Sequence, residues 1–169
     1  MKLGAQNKTA SFLGDEREWK GSRIEMVDVD GRDGGVRIRI EGTGLGTVEP
    51  VKWKTNPIDE RSGLYTTTFP FSLPEADITN LLTLFVEMDF LTITVPKDHK
   101  PVRSETIPGI TLSSYLGVSH TVEKYASQKV DRFDSISGIL NGLETKLVPL
   151  RDDSKWEEEG WRPWAGFSE

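Results

Sequence analysis

The chain has 169 residues, of which 36% are hydrophobic and 28% are charged, and it carries a net charge of -6 with a pI near 5.1. This acidic balance argues against a general nucleic-acid binder, which needs a basic footprint. The absence of cysteine excludes disulfides, thiolate metal sites and cysteine nucleophiles. No apolar run reaches the roughly 18 residues of a membrane span, and the N-terminus lacks the apolar core of a signal peptide. We therefore expect a soluble cytoplasmic or nuclear protein that binds neither nucleic acid nor membranes.

The first part of the chain is dominated by short patterns that predict β-strands. Residues 1–21 hold few large apolar groups, so we expect a polar, mobile arm there. Apolar and polar residues alternate at 22–29 and again at 36–42, with the turn-rich segment DVDGRDGG between them. We expect a flexible, glycine-rich connection at 42–50 and a longer strand at 64–73. Short strands between closely spaced turns predict an antiparallel β-sandwich.

The stretch 73–97 is the most clearly patterned part of the chain. Its segment LTITV, at 91–95, alternates apolar and threonine side chains, which is typical of a half-buried strand. Pro96 ends this strand, because proline cannot donate a hydrogen bond to the next rung of a ladder. The apolar run at 81–88 fits either a strand or a short buried helix, since periodicity does not separate the two at this length.

The character of the chain changes after Lys97. A polar linker that contains proline carries the isolated apolar triplet Ile110-Thr111-Leu112. From Val118 onwards apolar residues recur at three- and four-residue steps, which predicts an amphipathic helix. The sequence therefore divides into five parts: a mobile N-terminal arm (1–21), a β-sandwich (22–97), an extension with the apolar triplet (98–116), an amphipathic helical segment (117–148) and an acidic, tryptophan-rich tail (149–169).

The tail combines acidic and aromatic side chains. From residue 152 onwards it holds six acidic residues against two basic ones. Four aromatic residues lie among these charges, namely Trp156, Trp161, Trp164 and Phe167. Aromatic anchors with charged flanks are typical of a linear motif that binds a protein partner. A disordered tail that only increases solubility is the alternative.

The motifs that could carry chemistry are weak, so we expect no enzyme, no cofactor and no metal site. DVDGRDGG superficially resembles a calcium loop, but arginines occupy its fifth and twelfth positions, where an EF-hand needs oxygen ligands. GTGLGT, at 42–47, lacks the lysine and hydroxyl residue of a phosphate-binding loop. We expect His99 and His120, the two histidines, to be exposed bystanders, because no nucleophile-elbow pattern accompanies them.

Several of these segments, taken in order, suggest a family. ERSGLYTTTFPFSLPE at 60–75, followed after fourteen residues by FLTITVPK at 90–97, resembles the α-crystallin domain of the small heat-shock proteins. Upstream, MVDVDGRDGGVRIRIEG is similar to the turn and fourth strand of that domain, and the apolar triplet is similar to the family's C-terminal anchor. The match spans residues 22–112. It departs from the family at 88–90, where Met-Asp-Phe replaces Asn-Gly-Val.

The resemblance implies an immunoglobulin-like sandwich whose edge groove takes up a segment of another chain without ATP. Ile110 and Leu112 would be the anchor that enters such a groove. Six residues would line the groove, namely Val36, Ile38, Ile40, Leu82, Leu84 and Val86. Ordinary core packing is the alternative role, and for the six strand residues it is the more common one.

Two functions remain open from the sequence. The first is an ATP-independent holdase of the small heat-shock-protein kind, which binds unfolding client proteins. The second is a non-chaperone interaction or scaffold protein that uses an α-crystallin or CS-type sandwich to bind a specific protein partner. The short N-terminal arm favours the second function, and the anchor-like triplet favours the first. In both cases we expect a homodimer or a larger homo-oligomer.

Overall fold

The structure is a computed structural model that describes residues 7–102, 105–147 and 160–166. It is mainly β and consists of an open antiparallel sheet of eight strands, with a helix near the C-terminal end of the chain. The strands are β1 (Arg23–Asp30), β2 (Gly34–Glu41), β3 (Leu45–Thr55), β4 (Ser62–Thr66), β5 (Phe69–Ser72), β6 (Gly109–Ser113), β7 (Ser119–Glu123) and β8 (Arg162–Pro163). The helices are α1 (Lys8–Leu13), α2 (Glu75–Glu87) and α3 (Asp131–Leu147), with short 3-10 helices at Glu18–Gly21 and Phe90–Thr92.

The strands lie in the order β7-β6-β1-β2-β3-β4-β8, and β5 also pairs with β3. The long strand β3 pairs with β5 through its first residues and with β4 through its last ones. The turn between β1 and β2 requires glycine at Gly34, whose φ is 86° and where a Cβ atom would lie 2.0 Å from the Val51 carbonyl oxygen. DVDGRDGG therefore forms a tight hairpin turn, as its glycines predict.

One face of the sheet is apolar and is covered by the helices. Side chains alternate along a strand, so Ile24 and Ile38 lie on the same face of β1 and β2. They belong to one buried cluster with Phe85 of α2 and Phe133 of α3. All described strands join a single sheet, and helices supply the layer over its apolar face. The immunoglobulin-like sandwich of two sheets is therefore not confirmed.

The opposite face of the sheet is polar. The Glu25 carboxylate accepts a hydrogen bond from Arg39 Nε at 2.6 Å, and Arg37 Nη2 lies 3.5 Å from the same oxygen. Further along, the Thr111 and Thr121 hydroxyls are hydrogen-bonded at 2.7 Å across β6 and β7. Cross-strand pairs of this kind stabilise the polar face of a sheet.

Residues 91–95 do not form the predicted strand. After α2 the residue Asp89 adopts φ 42° and ψ 64°, which turns the chain into the 3-10 helix Phe90–Thr92. Ile93, which follows, is extended and buried in the core, but residues 93–95 join no strand of the described sheet. Alternation of apolar and polar residues predicts that one side of an extended segment is buried. It does not report whether a neighbouring strand is present to form the ladder.

Residues from α1 and α3 hold the end of α2 in place. Asp89 accepts hydrogen bonds from the backbone N–H of Thr9 at 3.0 Å and from its hydroxyl at 2.8 Å. Arg132 Nη1 donates to the carbonyl oxygen of Met88 at 2.8 Å and to Thr92 Oγ1 at 2.9 Å, while Nη2 lies 3.2 Å from the Thr92 carbonyl oxygen. The guanidinium thus satisfies carbonyls that the end of a helix leaves without partners.

The helix predicted at 117–148 is only partly present. Residues 119–123 form β7, and the described helix begins at Asp131 and continues to Leu147. In its first residues the predicted helical spacing rested on Val118 and Val122 alone. The Ser113 and Ser119 hydroxyls, 2.7 Å apart, instead form a cross-strand pair in the β6–β7 hairpin. The ambiguous run at 81–88 is helical up to Glu87.

Two expectations about flexible segments were also wrong. Residues 7–21 belong to the packed domain, because Leu13 of α1 is fully buried in the core. The connection expected at 42–50 contains the start of β3, where Val48 pairs with Ile38 of β2 and is fully buried. Gly44, with φ 97°, provides only the turn before that strand.

Candidate interaction surfaces

The predicted groove residues do not together line one open groove in this fold. Four of them, Val36, Ile38, Ile40 and Leu82, are buried in the main core cluster. Leu84 and Val86 are partly buried and pack against the same cluster. Strand β2 contributes three of the six residues and α2 contributes the others, so the structure does bring them together. It brings them together as the interior between the sheet and a helix, and not as an exposed surface.

The predicted anchor is a sheet strand. Ile110 and Leu112 lie in β6, which pairs with β1 on one side and with β7 on the other. Both side chains are fully buried. Their spacing of two residues puts them on one face because they alternate along a strand, and this is the same feature that made them resemble an anchor. Neither side chain is available to enter a groove elsewhere.

The predicted tail motif is described only in part. Trp156 and Phe167 lie outside the described residues. Trp161 and Trp164 flank β8, which adds an antiparallel strand to the edge of β4. Thr66 pairs with Arg162 in this ladder. The tail aromatics that are described therefore lie against the folded domain. We use the name β4 edge for strand β4 together with the side chains that contact the tail, namely Tyr65, Lys54, Glu49 and Thr68.

Trp161 occupies an aromatic and cationic seat at this edge. Its side chain is 8% exposed and forms a small cluster with Tyr65 of β4. The Nζ of Lys54, at the end of β3, lies 4.3 Å from the centroid of the Trp161 ring. A cation over the face of a tryptophan is stabilising by about 0.5–2 kcal/mol, depending on solvation. The seat therefore combines apolar burial with a cation–π contact.

The next tail residue meets polar partners. Arg162 Nη2 donates a hydrogen bond to Thr68 Oγ1 at 3.0 Å and lies 3.6 Å from Glu49 Oε2. The Glu49 side chain is only 8% exposed and lies within β3 opposite Arg37 of β2. A covered carboxylate of this kind favours a cationic partner. The charge of Arg162 thus complements the surface on which it lies.

The structure gives His99 a polar environment that the sequence did not reveal. His99 Nε2 lies 3.0 Å from Ser127 Oγ, and that hydroxyl also contacts both carboxylate oxygens of Glu105, at 2.8 and 2.9 Å. The His99 ring is stacked on Tyr125, with centroids 5.4 Å apart. The other histidine, His120, meets the ring of Phe90 edge-on at 5.7 Å and is only partly exposed. Neither histidine is the exposed bystander that we expected.

We call the cluster of His99, Glu105 and Ser127 the clasp, because its hydrogen bonds hold two loops together. In a nucleophilic triad the acid orients the far nitrogen of the histidine, whereas here the carboxylate binds the serine itself. Glu105 also accepts hydrogen bonds from the backbone N–H groups of Ser127 and Val102. Burial acts to raise the pKa of Glu105, but these hydrogen bonds outweigh it and lower the pKa below its ordinary value. The contacts tie the loop before β6 to the turn after β7.

An exposed apolar feature lies at the edge of the sheet opposite to β4. The hairpin between β6 and β7 carries Tyr115, Leu116 and Val118 at its tip, and Leu116 is 71% exposed. Loop tips are usually polar, so three large exposed hydrophobic residues in one turn are notable. Gly117, with φ 79°, supplies the left-handed position of the turn.

Other kinds of site receive no support within the described residues. No group of three or more histidine, aspartate or glutamate residues there could hold a metal ion. None of the described helices has the length and apolar character needed to cross a membrane. In the comparisons with known proteins, no family model matches the chain and no curated protein matches it. The resemblance to the α-crystallin domain therefore stays a prediction.

Proposed function

We propose that this protein is a non-chaperone interaction module that binds an extended segment of a specific protein partner by strand addition at the β4 edge. One observation carries the proposal: the chain's own residues 162–163 lie on β4 as an added strand, with Trp161 buried beside them. Strand addition obtains affinity from main-chain hydrogen bonds and specificity from side-chain seats. The β4 edge offers both.

The burial of the predicted groove favours this function over the holdase. A holdase binds unfolding clients through accessible apolar surface, and the predicted groove residues instead belong to the core or pack against it. Opening that groove would require α2 to leave the sheet, which would expose Phe85 and its buried neighbours. The surface under the tail is small and combines the aromatic and cationic seat of Trp161 with the anionic Glu49 that contacts Arg162. Such a surface suits one ordered segment better than many unrelated clients.

A holdase remains the second candidate, because the β6–β7 hairpin tip exposes Leu116 and Val118. A light-scattering assay with a thermally unfolding model enzyme separates the two functions. The interaction module should give no suppression of aggregation at a stoichiometric excess. Full suppression by the wild-type chain, lost in the Leu116→Ser variant and kept in a matched Thr121→Ser variant, would support the holdase instead.

Strand addition itself can be tested with a peptide that has the sequence of residues 160–166. Because a tethered segment has an effective concentration of about a millimolar, the peptide should be added to the ¹⁵N-labelled full chain at several millimolar. We expect amide shifts along β4 (Ser62–Thr66) and none along β7 (Ser119–Glu123), which serves as the control edge. If the amides of β4 do not respond even in a full-chain Trp161→Ala variant that remains folded, the proposal is wrong.

A further inference from the structure

Three successive tail residues each contact or pair with residues of the β4 edge. Trp161 enters the seat of Tyr65 and Lys54, and the Arg162 guanidinium lies against Glu49 and the Thr68 hydroxyl. Pro163 lies opposite Tyr65 in the ladder. These contacts depend on the order of the side chains in the tail, and not only on an extended backbone.

The position of the proline agrees with the hydrogen-bond pattern. The Trp164 N–H donates to the Leu64 carbonyl oxygen at 2.9 Å. In an antiparallel ladder this bond makes Tyr65 and Pro163 a non-hydrogen-bonded pair, in which the Pro163 nitrogen points away from β4. Proline therefore removes no ladder hydrogen bond here. Its fixed φ also restricts the free segment to extended conformations, which lowers the entropy cost of binding.

The position of the arginine is set by charge. Glu49 is covered by its surroundings and lies 3.6 Å from the Arg162 guanidinium. A neutral residue at the position of Arg162 would leave this carboxylate without that cation, and an acidic residue would place two carboxylates together. Both changes are unfavourable beside a carboxylate that is only 8% exposed. The β4 edge should therefore discriminate strongly against an acid at this position.

From these contacts we infer that the partner segment has an aromatic residue followed by arginine and proline, and that the chain's own tail competes with it for the β4 edge. The inference rests on the proposed function, since it describes the ligand of that same site. The tail is an intramolecular copy of the ligand, so a partner binds only when it displaces the tail. The tail thus acts as an autoinhibitory segment.

Competition predicts how tail variants of the full chain behave. Trp161→Ala removes the side chain that occupies the seat. Arg162→Glu weakens the binding of the tail to the β4 edge and leaves its tryptophan unchanged. The second variant keeps the test possible if the first fails to fold. Urea unfolding shows whether each variant is folded. The probes are fluorescein-labelled peptides with the sequence of residues 160–166, in the native form and with arginine replaced by glutamate. Fluorescence anisotropy gives their affinities.

We expect the native probe to bind either folded tail variant at least about tenfold more tightly than it binds the wild-type chain. The glutamate probe should bind the tail variants at least about tenfold more weakly than the native probe. Glu49→Gln in the Trp161→Ala chain should reduce this difference between the probes to less than about threefold, because it removes the charge that discriminates. A matched Glu123→Gln change on β7 should leave the difference intact.

The outcomes separate the inference from the function. If both probes bind a vacated chain equally, the arginine is not recognised and the inference fails, while strand addition stands. If the native probe binds the wild-type and vacated chains equally, the tail does not compete. If neither probe binds any folded variant, the proposed function fails too. The β4 edge could also be occupied by the tail of a second copy of the chain, and light scattering tests this case. A wild-type dimer that Trp161→Ala converts to a monomer would mean that the tails exchange between two copies. That result would overturn the role of the tail as an inhibitor within its own chain.

Discussion

Replacing Asp89 tests how α1 and the end of α2 are held together. Its carboxylate accepts hydrogen bonds from the Thr9 N–H and hydroxyl, and its φ of 42° lies in the left-handed region. Asp89→Ala removes the acceptor, and a hydrogen bond to a charged group contributes about 1.5–3 kcal/mol. The left-handed backbone costs alanine about 1–2 kcal/mol more. We therefore expect the free energy of unfolding to fall by about 3–5 kcal/mol.

Two further variants separate these contributions. Asp89→Gly loses the acceptor but tolerates a positive φ, so it should be about 1–2 kcal/mol more stable than Asp89→Ala. Asp89→Asn keeps an oxygen acceptor and tolerates the left-handed region, so its loss should be the smallest, about 1 kcal/mol. Urea unfolding at pH 7, followed by tryptophan fluorescence, measures all three. A loss below about 1 kcal/mol for Asp89→Ala would refute the hydrogen-bond reasoning, and equal losses for alanine and glycine would refute the backbone reasoning.

The pH dependence provides an independent check. Burial acts to raise the pKa of the Asp89 carboxyl, but the hydrogen bonds from Thr9 and Thr92 outweigh it and lower the pKa below its ordinary value. Such a group stabilises the fold above the unfolded pKa of about 3.9, and its contribution is lost as the pH falls through the lower folded pKa. The stability deficit of Asp89→Asn relative to the wild type should therefore shrink between about pH 5 and pH 2. A deficit that stays constant would contradict the lowered pKa.

Three shorter predictions concern other contacts. Arg132→Ala should lower the free energy of unfolding by about 2–3 kcal/mol, since it leaves helix-end carbonyls without a charged donor, and Arg132→Lys should recover less than half of this loss because an ammonium cannot reproduce the guanidinium fork; urea unfolding measures both. Ser127→Ala should raise the pKa of Glu105 towards its ordinary value, because it removes a hydroxyl donor to the carboxylate; carboxyl NMR titration reads this, and an unchanged pKa would count against the clasp. Ile110→Ala should cost about 2–5 kcal/mol of stability without reducing the solution mass, whereas Ile107→Ala at an exposed position should stay within about 0.5 kcal/mol; a reduced mass with unchanged stability would restore the anchor hypothesis.

Part of the sheet was predictable because its signals are local. Strand β1 was predicted at 22–29 and β2 at 36–42, each within two residues of the structure at either end. Both patterns alternate apolar and polar residues on either side of a glycine turn, and these are properties of neighbouring residues. The aromatic run at 64–73 was also extended as predicted, but it is divided into β4 and β5, which pair with different parts of β3.

The candidate site was predictable only as a set of unusual residues. The tail stood out because tryptophans lie among charges, and Trp161 and Trp164 are indeed found beside an added strand. The sequence offered no sign of the surface that they meet. That surface combines Lys54, Glu49 and Tyr65, which lie about a hundred residues earlier in the chain. Likewise, no local pattern joins His99 to Ser127, because chain folding alone brings these loops together.

The sequence by itself determined the β1–β2 hairpin, its glycine turn and the extended aromatic run at 64–73. Each of these depends on alternation, on glycine or on apolar character at neighbouring positions. Only the tertiary structure decided which extended segments became strands of the sheet. LTITV begins in a 3-10 helix, buries Ile93 in the core and pairs with no described strand, whereas Ile110 and Leu112 lie between β1 and β7 in the sheet. A ladder needs a second strand at hydrogen-bonding distance, and the residues that provide it are far away in the chain.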